Sequence, residues 1–123
     1  MKLIAIFLLF LLPLIASADT ALYYCNYRSY SNQEGNHKVK NKFELQFLVD
    51  KVSEKSYLIG KNGSSEVELL KSSNQLAFLE VTGFGNIMTT AIDSKLNSVH
   101  SRNYIGLSGE ILPSQYYGKC EIK

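Results

Sequence analysis

Lys42-Phe43-Glu44-Leu45-Gln46-Phe47-Leu48-Val49 decides the fold class. Phe43, Leu45, Phe47 and Val49 alternate with Lys42, Glu44, Gln46 and one stray Leu48. A period of two puts every second side chain on the same side of an extended chain, so this segment reads as a half-buried β-strand. The pattern continues downstream. Tyr57-Leu58-Ile59 forms a short strand that ends at Lys61-Asn62-Gly63, where Asn-Gly tolerates the positive φ of a tight hairpin. Val67 and Leu69 alternate with Glu66 and Glu68 on the return. Ser72-Ser73-Asn74 makes a turn and residues 76–82 another strand. Gly83-Phe84-Gly85 is expected to bend that strand, as glycine does at a bulge or barrel corner, before it resumes over residues 87–92.

Residues 93–97 form a polar loop, residues 98–105 a strand, and residues 116–122 the last one. With residues 21–27 this makes about eight short strands, reversing at the roughly 8–12-residue spacing of an all-β sandwich or barrel. No segment sustains a 3.6-residue period, although residues 50–55 could form one helical turn. Residues 28–40 are polar, with lysines at 38, 40 and 42 around their end, and read as an exposed loop. Residues 106–115 mix Gly, Pro and Ser with Leu107, Ile111 and Leu112, which suggests an ordered loop packed on the body.

The first eighteen residues carry the secretory pattern: Lys2, an apolar run over residues 3–15, then small Ala16-Ser17-Ala18 ahead of polar Asp19. Thirteen apolar residues fall short of the ~20 that span a bilayer, so residues 1–18 are expected to be a removable signal and residues 19–123 one exported domain. Periplasm or extracellular space is the expected location. Only Cys25 and Cys120 are available for a bridge, and an even count in an exported small domain predicts a disulfide. Joining the first strand to the last favours a closed or nearly closed antiparallel meander, because closure removes unpaired edges; a two-sheet sandwich is the alternative.

Removing Lys2 with the signal leaves 12 basic and 11 acidic side chains, a net charge of about +1. Such a balance argues against nucleic acid as a partner. No membrane association after signal removal is expected, and the chain is expected to be a monomer. Neither a cofactor nor a metal is expected, since the two histidines and the dispersed carboxylates show no ligand spacing.

Three constellations could carry function. Ser98, His100, Arg102 and Tyr104 share one strand face, and an Arg flanked by His and Tyr could clamp a carboxylate or phosphate. The plainer reading of that face is the solvated side of an ordinary strand. His37, His100 and Arg102, with Lys38 or Lys40, also supply the minimum for a small metal-free hydrolase or RNase-like enzyme. No Gly-x-Ser-x-Gly turn supports a serine nucleophile. Tyrosines are the third feature. Alternation puts Tyr23, Tyr27 and Tyr116 on the cysteine side, towards the core. Tyr24 and Tyr117 fall on the opposite face beside Lys119, a candidate contact patch.

Ser98-Val99-His100-Ser101-Arg102-Asn103 and the segment from Pro113 to Cys120 resemble phrases in small exported bacterial proteins. The general plan of signal, β-meander and single terminal disulfide is similar to that of periplasmic lysozyme inhibitors, a likeness of architecture. Together these readings give an expected function: an exported, non-catalytic binding protein, inhibitor-like or glycan-binding, acting through loops and a tyrosine-rich surface on another protein or a glycan. The enzyme built on His100, Arg102 and His37 is one alternative, and a barrel holding a small ligand is another.

Overall fold

A computed structural model describes residues 19–123; the expected signal, residues 1–18, lies outside the described residues. Eight strands follow in chain order: β1 (Thr20–Asn32), β2 (Gly35–Asp50), β3 (Ser56–Gly60), β4 (Gly63–Lys71), β5 (Gln75–Val81), β6 (Ile87–Asp93), β7 (Asn97–Ile105) and β8 (Ile111–Ile122). Each pairs antiparallel with the next, and β8 returns to β1, so the expected meander is a closed barrel and not a sandwich. Closure leaves no sheet edge to attract a foreign strand. Cys25 of β1 stands directly opposite Cys120 of β8 in the closing register, and the two form the disulfide. Such a bond belongs to a non-cytosolic, oxidising compartment.

Alternation places Tyr23, Cys25, Tyr27, Phe43, Leu45, Phe47 and Val49 together in the interior, with Leu58, Val67, Leu69, Phe78 and Ile92 from the facing strands. Phe47 and Phe78 stack at 4.2 Å across its centre. Gly118 faces this interior where β8 passes closest to β1: a Cβ there would collide with the Asn26 carbonyl and the Tyr27 Cα. Glycine is therefore the residue that permits this approach.

Three segments differ from their sequence reading. Residues 28–40 are no loop. β1 and β2 run on through them and reverse only at Gln33-Glu34, because Ser29 to Asn32 pair on one side with β2 and on the other with β8. A bulge at Arg28 gives the strand the extra residue it needs to keep Tyr27 and Tyr30 on the same side. Gly83-Phe84-Gly85 does not bend a strand but reverses it, with Gly85 at φ 81° and the Thr82 amide bonded to the Asn86 carbonyl at 2.9 Å. Residues 106–115 split into a short turn, closed by Gly106 N–H to Glu110 O at 2.8 Å, and the start of β8; Leu107 projects into solvent instead of packing on the body.

The β1–β2, β3–β4, β5–β6 and β7–β8 turns all lie at one end of the barrel, here called the mouth.

Candidate functional site

The row Ser98, His100, Arg102, Tyr104 turns inward, and this corrects the reading of it as a solvated face. His100 is 3% exposed and Ser98 is buried, Arg102 is half-buried, and Tyr104 reaches the rim of the mouth. Sequence periodicity identifies which residues share this face; only the closure of the barrel determines that the face is interior.

Ser98, His100 and Arg102 are held by hydrogen bonds. Ser98 Oγ donates to the Ala91 carbonyl at 2.9 Å, so Tyr27 supplies the proton of its own 2.8 Å bond to Ser98 Oγ. Burial pushes the Tyr27 phenol up to about 12 against the smaller opposing effect of that bond, so it remains protonated. Arg102 Nε–H donates to His100 Nε2 at 3.2 Å. An arginine nitrogen has no acceptor capacity, so His100 Nε2 must carry the lone pair and Nδ1 the proton. Nδ1–H then donates to Thr90 Oγ1 at 2.7 Å. Burial, and after it the Arg102 charge, lowers the His100 pKa to about 4.

Arg102 is also fixed by rings. Its guanidinium lies 4.7 Å from the Phe43 centroid and 5.0 Å from that of Tyr116. Those rings belong to a column: Phe43 stacks on Tyr116 at 4.6 Å, Tyr116 on Tyr30 at 5.1 Å, and Tyr30 on His37 at 4.9 Å. Above them opens a cup of about 510 Å³ at the mouth. Arg102, Tyr116, Tyr30, Met88, Tyr104 and Leu112 line it, and Asn32, Gln33 and Ser114 supply polar groups. Glu34 is the acidic residue among those lining the cup, and among the described residues no carboxylate forms an ion pair with Arg102. Arg102 lines the cup, and among the described residues the Nε–H bond to His100 is the one hydrogen bond its side chain makes.

His37 bonds through Nε2 to Asn32 Oδ1 at 2.9 Å, on the far side of Tyr30 and Tyr116 from His100, and neither histidine lines the cup. The geometry therefore brings His100, Arg102 and Tyr104 into one row without pairing the two imidazoles. Nor does it leave His100 a free basic nitrogen.

The tyrosine patch occupies another face. Tyr24, Tyr117 and Lys119 border a groove of about 620 Å³ on the outside of β1 and β8, together with Asn26, Arg28 and Glu121. Tyr117 Oη lies 3.0 Å from Ser31 Oγ and donates to Gln115 Oε1 at 3.2 Å; Lys123 Nζ sits 4.5 Å over the Tyr24 ring. The Tyr24 pKa is raised, first by its bond to the Glu44 carboxylate.

The chain matches no family model, no curated protein and no solved structure. Among the described residues no group of His, Cys, Asp and Glu is arranged to hold a metal ion. The sequence reading missed the second half of the cup, Tyr30, Met88, Leu112 and Ser114. Met88 carries no local motif, and the other three lay in stretches read as loops.

Proposed function

We propose that the protein is an exported, non-catalytic binding protein whose cup receives the anionic group of a small ligand, a carboxylate or a phosphate. One observation carries the reading: the Arg102 guanidinium, clamped by His100 and by two rings, lines a cavity and has no carboxylate partner among the described residues. A cation fixed in this way loses little side-chain freedom on binding, and its planar fork suits two parallel bonds to an anion. The cup's volume lies in the range of small-molecule sites. With no free base beside Arg102, the arrangement favours holding a ligand over transforming it.

The test compares benzoate and inorganic phosphate with neutral methyl benzoate in thermal melts of the oxidised protein. A concentration-dependent rise with at least one anion, absent with the ester and lost in Arg102→Met, supports the reading; no response to either anion sinks it.

The groove beside Tyr24, Tyr117 and Lys119 supports a second reading, contact with another protein or a glycan, because exposed Tyr offers apolar area with a polar tip. Loss of a captured partner on Tyr24→Ala or Tyr117→Ala, but not on Arg102→Met, would favour it.

A further inference from the structure

The mouth carries an exposed apolar surface that anion binding does not require. Phe84, at the tip of the β5–β6 turn, is 96% exposed, and Leu107, at the tip of the β7–β8 turn, is fully exposed. Behind the tips, Val81, Ile87, Ile105 and Ile111 are exposed as well, and the register pairs Val81 with Ile87 and Ile105 with Ile111. Tyr104 and Leu112, a register pair on the cup side of the β7–β8 hairpin, are also exposed. Both faces of that hairpin, and its tip, are thus apolar.

The two tips form one platform. Asn86 is buried between them; its Oδ1 accepts the Ile105 backbone N–H at 3.1 Å, and its own backbone N–H donates to Thr82 Oγ1 at 3.2 Å. Holding two apolar tips in fixed relation, at the cost of burying an amide side chain, keeps in water a surface larger than scattered exposed side chains explain.

We infer that the mouth docks on a lipid bilayer, with Phe84 and Leu107 entering the acyl boundary. Shape and charge select this occupant. The fingers protrude and are apolar on both sides, so a rigid protein partner would need two matched sockets, whereas fluid acyl chains close around each finger. The two turns hold a single charged side chain, Glu110, at the base of the second. Exposed Lys38, Lys40 and Lys61 and half-buried Arg102 stand at the same end, against exposed Glu34 and Glu110 and half-buried Glu80, a small basic excess. That balance suits anionic headgroups, which attract basic side chains within a Debye length. Tyr104, with an apolar ring and a polar tip, stands where an aromatic side chain sits at a membrane–water boundary. In this orientation the cup opens at headgroup level; that last link rests on the proposed function, while the docking itself does not.

The experiment is co-sedimentation of the oxidised protein with phosphatidylcholine vesicles, with and without phosphatidylglycerol. The expected result is association that strengthens with phosphatidylglycerol and weakens with salt. Phe84→Ser and Leu107→Ser should each lower the partition coefficient roughly tenfold, since each removes one large apolar side chain from the acyl boundary. Val52→Ser, an exposed apolar site at the opposite end, should leave it unchanged. Both tip side chains lie in solvent, so neither substitution threatens the fold. Failure to associate with either vesicle, or association indifferent to the Phe84→Ser/Leu107→Ser double variant, overturns the inference. So does a dimer that the double variant dissolves while vesicles are ignored, because it assigns the tips to a second copy. Soluble-anion binding by the same double variant reports on the cup separately, so failure of one reading is distinguishable from failure of the other.

Discussion

Arg102 Nε–H donates to His100 Nε2 at 3.2 Å, and this one bond fixes the protonation of the barrel interior. It requires a neutral imidazole with its proton on Nδ1, and Thr90 Oγ1 receives that proton at 2.7 Å. Side-chain ¹⁵N spectra at pH 7 should therefore show His100 as the Nδ1–H tautomer, with Nε2 unprotonated. An Nε2–H signal would break the link between His100 and Arg102.

The burial of His100, and after it the Arg102 charge, gives a pH dependence with a definite sign. His100 in the fold protonates only near pH 4, whereas an unfolded imidazole does so near 6.5. Between those values the unfolded chain binds the extra proton, so acid favours unfolding. Stability from this group should be complete above about pH 6.5 and fall as pH drops towards 4, by up to about 3 kcal/mol. Urea midpoints at pH 7, 5.5 and 4.5 measure it, and in His100→Gln this component of the slope should vanish.

The interior that produces this behaviour was only half legible in the chain. Apolar alternation at Phe43 to Val49 reports a strand, and Cys25 with Cys120 reports which strands close the sheet. Ser98, His100 and Arg102 carry no such mark. They are polar, so periodicity sends them to solvent, yet Tyr27, Thr90 and Phe43 from other strands satisfy them across the interior. Those partners lie ten or more residues away, where a local pattern has no reach. Residues 28–40 escaped for a related reason: their strands are polar because they rise to the mouth, and it is the pairing of Ser29 to Asn32 with both β2 and β8 that makes them strands. The glycines at 83, 85, 106 and 109 signal backbone freedom, and whether that freedom bends a strand or reverses it depends on the register around it.

Gly118→Ala should destabilise the protein by more than about 3 kcal/mol, because the added methyl meets main-chain atoms of Asn26 and Tyr27 that have nowhere to move. Gly83→Ala is the contrast: a Cβ there has nothing within 4 Å, and the change should stay within about 0.5 kcal/mol. Equal losses in denaturant titrations would contradict the close β1–β8 approach.

Replacing both cysteines by serine opens a loop of 95 residues. The chain-entropy account puts the loss at about 4.7 kcal/mol, a large share of a small domain's stability. The variant should retain its β-sheet circular dichroism at low temperature and melt well below the oxidised protein; an unchanged melt would show that the closing strand pair alone holds the barrel.

The most direct test watches the Arg102 guanidinium itself. In ¹H–¹⁵N spectra of the oxidised protein titrated with benzoate, the Arg102 Nη resonances should shift and sharpen in a saturable way. The Nε–H bond to His100 should persist, and His100→Ala should weaken the response at least tenfold. Arg102 resonances that stay fixed while benzoate shifts only outer lysines would contradict the account.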